Sequence, residues 1–403
     1  MKSDEAILIR QKHQTRFENK DMDFNFNWLI GVGEVIGLST SQIFYAVKDM
    51  KGDNPKDWRE NFTRLARSEE ARAESLISKD NYLAGVSYLS AGQAYRAVLH
   101  YINPKRVEYL ERVKDMEESF IKGIGALEIP LSAIEIPFED TYLPAYYIEQ
   151  KNKHCPTLIM VGGGDTYRED LFYFAGFPGW KRGYNVLMVD LPGQGKLPSQ
   201  GQTFRVDMEK PISTAINWLE ENAQYKPEKL AIYGVSGGGY FTGLAVAHDT
   251  RIKAWIASTP ITDVAKVFQK EFGNALKAPS FSIRLATKLI GSLNESAQIS
   301  LDKYAWQLGT DDFKEAVNEV YRQALPVQTK NINIPSLFLV GESEGEELIQ
   351  QTEDLCTELK NKGIDVKLIR FTEEEGADAH CQVNNLRLAH HIVYNWLDDV
   401  FNL

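Results

Sequence analysis

The apolar positions of this chain follow two rhythms. Over the first 122 residues they recur every three or four places: Trp58, Phe62 and Leu65 after Asn54-Pro55, then Val107, Leu110, Val113, Met116 and Phe120 after Asn103-Pro104. Each Asn-Pro pair sets a capping residue before a proline at the first helical position, so both stretches predict helices. Between them, Tyr82 to Tyr101 (YLAGVSYLSAGQAYRAVLHY) predicts a further apolar-faced helix rich in small residues. Little in this part reads as strand, and residues 1–122 predict an all-helical domain. Aromatic residues crowd near its start, at Phe24, Phe26, Trp28, Phe44 and Tyr45; most are expected in the core and a minority beside a ligand pocket.

From residue 123 onward the rhythm shortens. Ala133 to Phe138 and Leu143 to Ile148 read as two strands joined by the turn-forming Glu139-Asp140-Thr141, an antiparallel hairpin. Apolar runs then alternate with helical patterns: Thr157 to Val161, Asn185 to Val189, Lys229 to Tyr233, Lys253 to Ala257, Ser336 to Val340 and Val366 to Phe371. This alternation predicts the α/β class, a mainly parallel sheet flanked by helices on both faces, over residues 123–403. Ligands in such sheets bind beyond the carboxyl ends of the strands. The interval 261–330 departs from the alternation. Its helical character, in FSIRLATKLIGSL and DDFKEAVNEVYRQAL, predicts a helical lid inserted over the site, packing bulk being the plainer alternative.

One strand end carries chemistry. Leu230 to Val235 runs into Ser236-Gly237-Gly238-Gly239, with Gly234 completing a G-x-S-x-G sequence, and Tyr240 to His248 (YFTGLAVAH) is apolar enough to be the helix that follows. Such a nucleophile elbow presents its serine hydroxyl at the apex of a strained strand-to-helix turn. A nucleotide-binding glycine turn is the alternative, but neither G-x-G-x-x-G nor a helix-opening Lys-Ser/Thr pair is present. A serine needs a base and the base an orienting acid. Of the histidines in the C-terminal stretch, His390 and His391 fall within the closing amphipathic stretch LRLAHHIVYNWLDDVF, whereas His380 sits in a loop directly after the last strand. The acid is expected after the penultimate strand, where Gly-x-x-acid spacing selects Glu344, with Glu342 and Glu346 as alternatives. The order Ser, Glu, His is that of α/β-hydrolases. For the oxyanion, the amide of Gly237 is one expected donor, and Gly162-Gly163-Gly164-Asp165 supplies the other: Gly164 first, Asp165 second, a phosphate cradle being the rival explanation. Asp165 and Tyr240 are the candidate substrate-binding residues.

Composition removes whole classes of function. The 403 residues carry a net charge of -11, which argues against nucleic acid or an anionic membrane as partner. No apolar run approaches the ~20 residues of a membrane span, and the N-terminus MKSDEAILIRQKHQ lacks a small-residue cleavage site, pointing away from export. Cys155, Cys356 and Cys381 form no C-x-x-C, which fits a reducing, cytoplasmic location without disulfide or zinc site. Cys381 follows His380 directly but reads as a small residue at a turn rather than a nucleophile. No metal or organic cofactor is implied.

The elbow at 234–238, Asp190-Leu191-Pro192-Gly193-Gln194-Gly195, the Gly-Gly-x-Asp loop and the terminal EGADAHCQ together resemble the α/β-hydrolase superfamily. The stretch from Ser90 to Tyr101, followed by an I-E-I-P-F-E-x-T-x-L-P hairpin, is similar to the branch of fermentation-respiration switch proteins, 2,6-dihydroxypseudooxynicotine hydrolases and yellowish-green-type hydrolases. The resemblance implies the α/β-hydrolase fold with a helical cap that often helps form a dimer. It assigns Ser236 as nucleophile, His380 as base and Glu344 as acid, with glutamate where most relatives have aspartate. The implied activity is hydrolysis of an ester or of a carbon–carbon bond in a β-diketone-like acyl compound. An acyltransferase or cyclase would use the same triad, as would an oligopeptidase, though these usually carry a β-propeller for which the sequence shows no repeat. A non-catalytic binding protein on the same fold is the reading from another class.

Overall fold

The computed structural model describes residues 10–152, 155–276 and 295–403. Its centre is an eight-stranded sheet in the order β1-β2-β4-β3-β5-β6-β7-β8. β1 (Leu131–Phe138) and β2 (Thr141–Ile148) are the expected hairpin, closed by Glu139 at φ 53°. β2 also pairs antiparallel with β4 (Asn185–Val189). The remaining ladders are parallel and join β3 (Thr157–Val161), β5 (Leu230–Val235), β6 (Ala254–Ser258), β7 (Ser336–Gly341) and β8 (Val366–Phe371).

The central strands β3 to β7 are buried at every position, which explains why their sequences are continuous apolar runs. Alternate residues feed two cores. Leu158, Met160 and Tyr233 pack toward the closing helix Leu386–Phe401, through Val393 and Leu397, and toward Phe24, Trp28, Leu89 and Phe120 of the N-terminal part. Ile159, Ile232 and Phe338 face the other way, onto Ile212, Ile216 and Leu244.

The N-terminal part forms α1 (Lys20–Val35), α2 (Thr40–Val47), α3 (Pro55–Leu76), α4 (Asn81–Leu99) and α5 (Val107–Ala126). Asn54 caps α3 through the amides of Lys56 and Asp57, with Pro55 as its first residue. A core of their own gathers Phe26, Trp58, Phe62, Tyr95, Tyr109 and Met116. α5 runs through residue 122, and the first strand begins at Leu131.

One local expectation needs correction. Asn103-Pro104 does not open α5: Asn103 turns the chain by accepting from the Lys105 amide at 3.0 Å, and the helix begins at Val107. Its buried stripe is Tyr109, Val113, Met116, Phe120 and Ile124, leaving Val107 79% and Leu110 44% exposed, because packing against α4 sets the helix phase. Of the aromatic residues near the start, Phe24, Phe26 and Trp28 are buried, as expected of most, while Phe44 and Tyr45 are exposed.

Within the 261–330 interval lie helices Val264–Leu276, Glu295–Gln307 and Phe313–Gln323. The FSIRLATKLIGSL stretch, residues 281–293, falls outside the described residues. No helix among the described residues is long and apolar enough to cross a membrane.

Candidate active site

β5 ends at Val235, and the helix Gly237–His248 starts one residue after Ser236. The serine sits in the turn at φ 56°, ψ -128°, a region that side chains other than glycine rarely enter. Its amide donates to Ser258 O at 2.6 Å, tying the turn to the end of β6. Glycine is demanded on either side: a Cβ on Gly234 would lie 2.2 Å from Gly238 O, and one on Gly238 would lie 2.5 Å from Val161 O.

The loop after β8 carries His380 to the serine. His380 Nε2 lies 2.8 Å from Ser236 Oγ, and Nδ1 lies 2.5 Å from Glu344 Oε2. Ser236 Oγ, the imidazole and the carboxylate therefore form one hydrogen-bonded line. Of the acidic alternatives, Glu342 accepts from the Glu373 amide and exposed Glu346 pairs with Lys270, so Glu344 is the carboxylate brought to the histidine. Glu344 is buried and fixed by two further donors, the Gly341 amide at 2.8 Å and Thr259 Oγ1 at 2.6 Å. Burial opposes a charge on His380, but Cys381 and the Glu344 carboxylate outweigh it and raise the imidazole above its usual pKa.

Gly163 and Gly164 pass directly over the serine turn. A Cβ on Gly163 would lie 2.6 Å from Ser236 Cβ, so only glycine lets the two loops approach this closely. Among the described residues, neither the Gly164 nor the Gly237 amide donates to another protein group, and both residues border the same cavity as Ser236. Their carbonyls and neighbours are held from outside. Gln194 Nε2 donates to Gly162 O at 2.5 Å and Gly163 O at 3.0 Å, while its Oε1 accepts from the Leu191 amide at 2.8 Å. Gln307, from the insertion, donates to Gly164 O, and Arg96 of α4 donates to Asp165 O.

The cavity above Ser236 measures about 230 Å³ and is mostly apolar. Phe24 and Trp28 reach it from α1, Val264 and Val267 from the start of the insertion, and Leu308 and Val320 from its later part. Tyr240 lines it too, with its hydroxyl donating to Leu325 O at 2.7 Å. Cys381 lies in its wall at φ 58°, its thiol directed at Ser258 O at 3.1 Å. The candidate substrate residue Asp165 is not alone: Lys303 Nζ is 2.5 Å and Arg10 Nη1 3.5 Å from its carboxylate.

Sequence reasoning missed Thr259, Gln194, Arg96, Gln307, Lys303 and Arg10. Gln194 and Arg96 had a signal, their places in the Asp190 to Gly195 motif and in the Ser90 to Tyr101 stretch. The others belong to elements whose approach to the serine only tertiary structure reveals. Among the described residues no group of three or more His, Cys, Asp or Glu is arranged to hold a metal ion.

Known proteins resemble this chain at several levels. The Prolyl oligopeptidase family matches residues 172–277, which include the serine turn. A protein of Aspergillus clavatus named hydrolyase ccsE is 30% identical over 284 residues, 64% of this chain and 64% of its own length. The 20-hydroxy-prefusarin hydrolase of Gibberella moniliformis is 23% identical over 96% of this chain and 97% of its own. The crystal structure of 2,6-dihydroxy-pseudo-oxynicotine hydrolase superposes with a TM-score of 0.68, at 20% identity, over 92% of this chain and 95% of that one.

Proposed function

We propose that this chain, an enzyme of the α/β-hydrolase kind, is a serine hydrolase that cleaves an ester or a carbon–carbon bond next to a carbonyl in a small to medium acyl substrate. The observation that carries the reading is the line Ser236 Oγ, His380 Nε2, His380 Nδ1, Glu344 Oε2, with spacings of 2.8 and 2.5 Å across its two contacts.

Its chemistry follows from the atoms present. His380 takes the proton of Ser236 as Oγ attacks the substrate carbonyl, and Glu344 steadies the imidazolium that forms. The Gly237 and Gly164 amides receive the developing oxyanion, a role supported by their place on the cavity beside Ser236. His380 returns the proton to the leaving group, which is an alkoxide in an ester and an enolate carbon in a β-diketone. Water, activated by the same imidazole, then releases the acyl group from Ser236. The apolar cleft suits an acyl chain or ring, with α1 and the 261–330 helices serving as its cap.

The Gibberella moniliformis relative is named for acting on 20-hydroxy-prefusarin, which supports a small-molecule substrate over a peptide. The absence of a repeated strand pattern before residue 123 points the same way.

The test is turnover of p-nitrophenyl esters of increasing chain length, aminoacyl nitroanilides and an aromatic β-diketone by wild type and Ser236→Ala. The reading expects one class to be cleaved and the alanine variant to lose at least about three orders of magnitude. Equal turnover by both proteins sinks it.

A further inference from the structure

A small polar recess adjoins the apolar cleft. Arg10, Asp165 and Tyr304 border both spaces, so the two share a wall, and the recess has a cavity of about 40 Å³. That is room for a group of a few atoms. Asp21 and Lys303 complete its charged lining, and His100 adds an imidazole.

Arg10 joins this recess to the catalytic loops. Its carbonyl accepts from the His380 amide at 2.8 Å, so its main chain lies against the histidine loop. Its guanidinium reaches Asp21 at 2.7 Å and Asp165 at 3.5 Å and lies over the Phe24 ring, 4.1 Å from its centroid. Asp165 follows Gly164 directly, so Arg10 spans from the histidine loop to the glycine loop, on either side of Ser236. Lys303 meets the same Asp165 from the insertion.

The balance of donors and acceptors in the recess is uneven. A guanidinium and an ammonium bring more N–H donors than the two carboxylate contacts of Arg10 and the one of Lys303 consume. Burial, and then Arg96 and Lys303, hold the pKa of His100 well below its usual value, so this ring adds no charge. Burial alone would raise the pKa of Asp165, but Lys303 and Arg10 hold it well below the usual carboxylate range, so it stays ionised and anchors both cations. Cations held in a half-buried site, with donors left over beside a cavity, are poor devices for stability and good ones for recognition.

We propose that the recess is a subsite for a second, acceptor-oxygen group of the substrate, a carboxylate or a ketone, bound by Arg10 and Lys303 while the apolar remainder occupies the cleft. The subsite rests on the serine-hydrolase reading and adds substrate class to it. Molecules with an apolar body and an oxygenated end are then preferred over plain acyl chains.

Matched p-nitrophenyl esters, equal in chain length and ending in a methyl group, a methyl ketone or a carboxylate, test this directly. The ratio of kcat/KM for each oxygenated ester to the plain one is measured for wild type, Arg10→Met, Arg10→Lys and Lys303→Met. Wild type is expected to favour one oxygenated ester by about tenfold or more, the scale of a charge-assisted hydrogen bond. The favoured arm identifies carboxylate or ketone. Both methionine variants should bring the ratio toward one, and Arg10→Lys should keep part of it. Should a methionine variant fold poorly, wild type alone decides: a dicarboxylate should inhibit at least about tenfold more tightly than the monocarboxylate of equal length. No preference in wild type, or one that survives both methionine substitutions, overturns the subsite. Plain-ester turnover retained by Ser236→Ala overturns the serine reading instead, and the subsite with it.

Discussion

Thr259 Oγ1 and His380 Nδ1 meet on the same oxygen of Glu344, at 2.6 and 2.5 Å. The other carboxylate oxygen accepts from the Gly341 amide at 2.8 Å. A buried carboxylate satisfied this fully has little freedom to turn, and the imidazole it faces inherits its orientation.

Replacing Glu344 by Gln keeps the shape and removes the charge. Turnover should fall by roughly 10⁴-fold, as when a triad acid becomes an amide. The pH profile should move as well. His380 must lose its proton before it can take one from Ser236, and its pKa is raised, so the rising limb of kcat/KM should lie above the ordinary value of about 6.5. Without the carboxylate the limb should shift toward lower pH. A limb at or below about 6.5 in wild type, unmoved by the substitution, would contradict this account.

Gln194 holds the glycine loop and does not line the cavity above Ser236. Gln194→Leu removes its bonds to Gly162 O and Gly163 O and leaves those carbonyls buried. Turnover on a chosen ester is expected to fall by about tenfold, less than the roughly 10²–10³ lost with a direct oxyanion donor, at similar KM. A change confined to KM would place Gln194 in substrate binding instead.

Arg96 ties α4 to the segment that follows the glycine loop. Its Nε lies 3.1 and 2.9 Å from the two oxygens of Asp170, and its guanidinium stacks 5.0 Å from the Trp28 ring and 4.7 Å from that of Tyr167. Arg96→Met leaves a buried carboxylate unpaired, and stability should fall by about 3–5 kcal/mol. Arg96→Lys should recover only part, because an ammonium cannot reproduce the planar contacts. Denaturant unfolding measures both.

Gly234→Ala should cost at least about 1–3 kcal/mol and most of the activity, since the added methyl meets a backbone carbonyl that cannot move without distorting the serine turn. An alanine variant with wild-type melting would show that the turn relaxes more easily than its geometry suggests.

What the sequence revealed follows from the range of the forces involved. Strands β3 to β7 were legible because burial on both faces leaves an unbroken apolar run such as Leu158 to Val161. The glycines around Ser236 were legible because a steric demand within five residues has a fixed spacing. Spacing also singled out Glu344 and loop position His380, the two groups that the fold brings to Ser236. Arg10 and Lys303 were not legible, since they reach Asp165 across separations in the chain that no local pattern encodes. The start of α5 was misplaced for a related reason: Asn103 spends its side chain on a turn and on Asp302, a distant partner invisible to a capping rule.

The most direct test of the central claim is labelling with a fluorophosphonate, followed by peptide mass mapping, on wild type, Ser236→Ala and His380→Ala. An activated serine should give one adduct on the peptide containing Ser236, absent from Ser236→Ala and strongly slowed in His380→Ala. An adduct elsewhere, or none in a folded wild-type protein, would contradict the proposal that Ser236, His380 and Glu344 act as a catalytic unit.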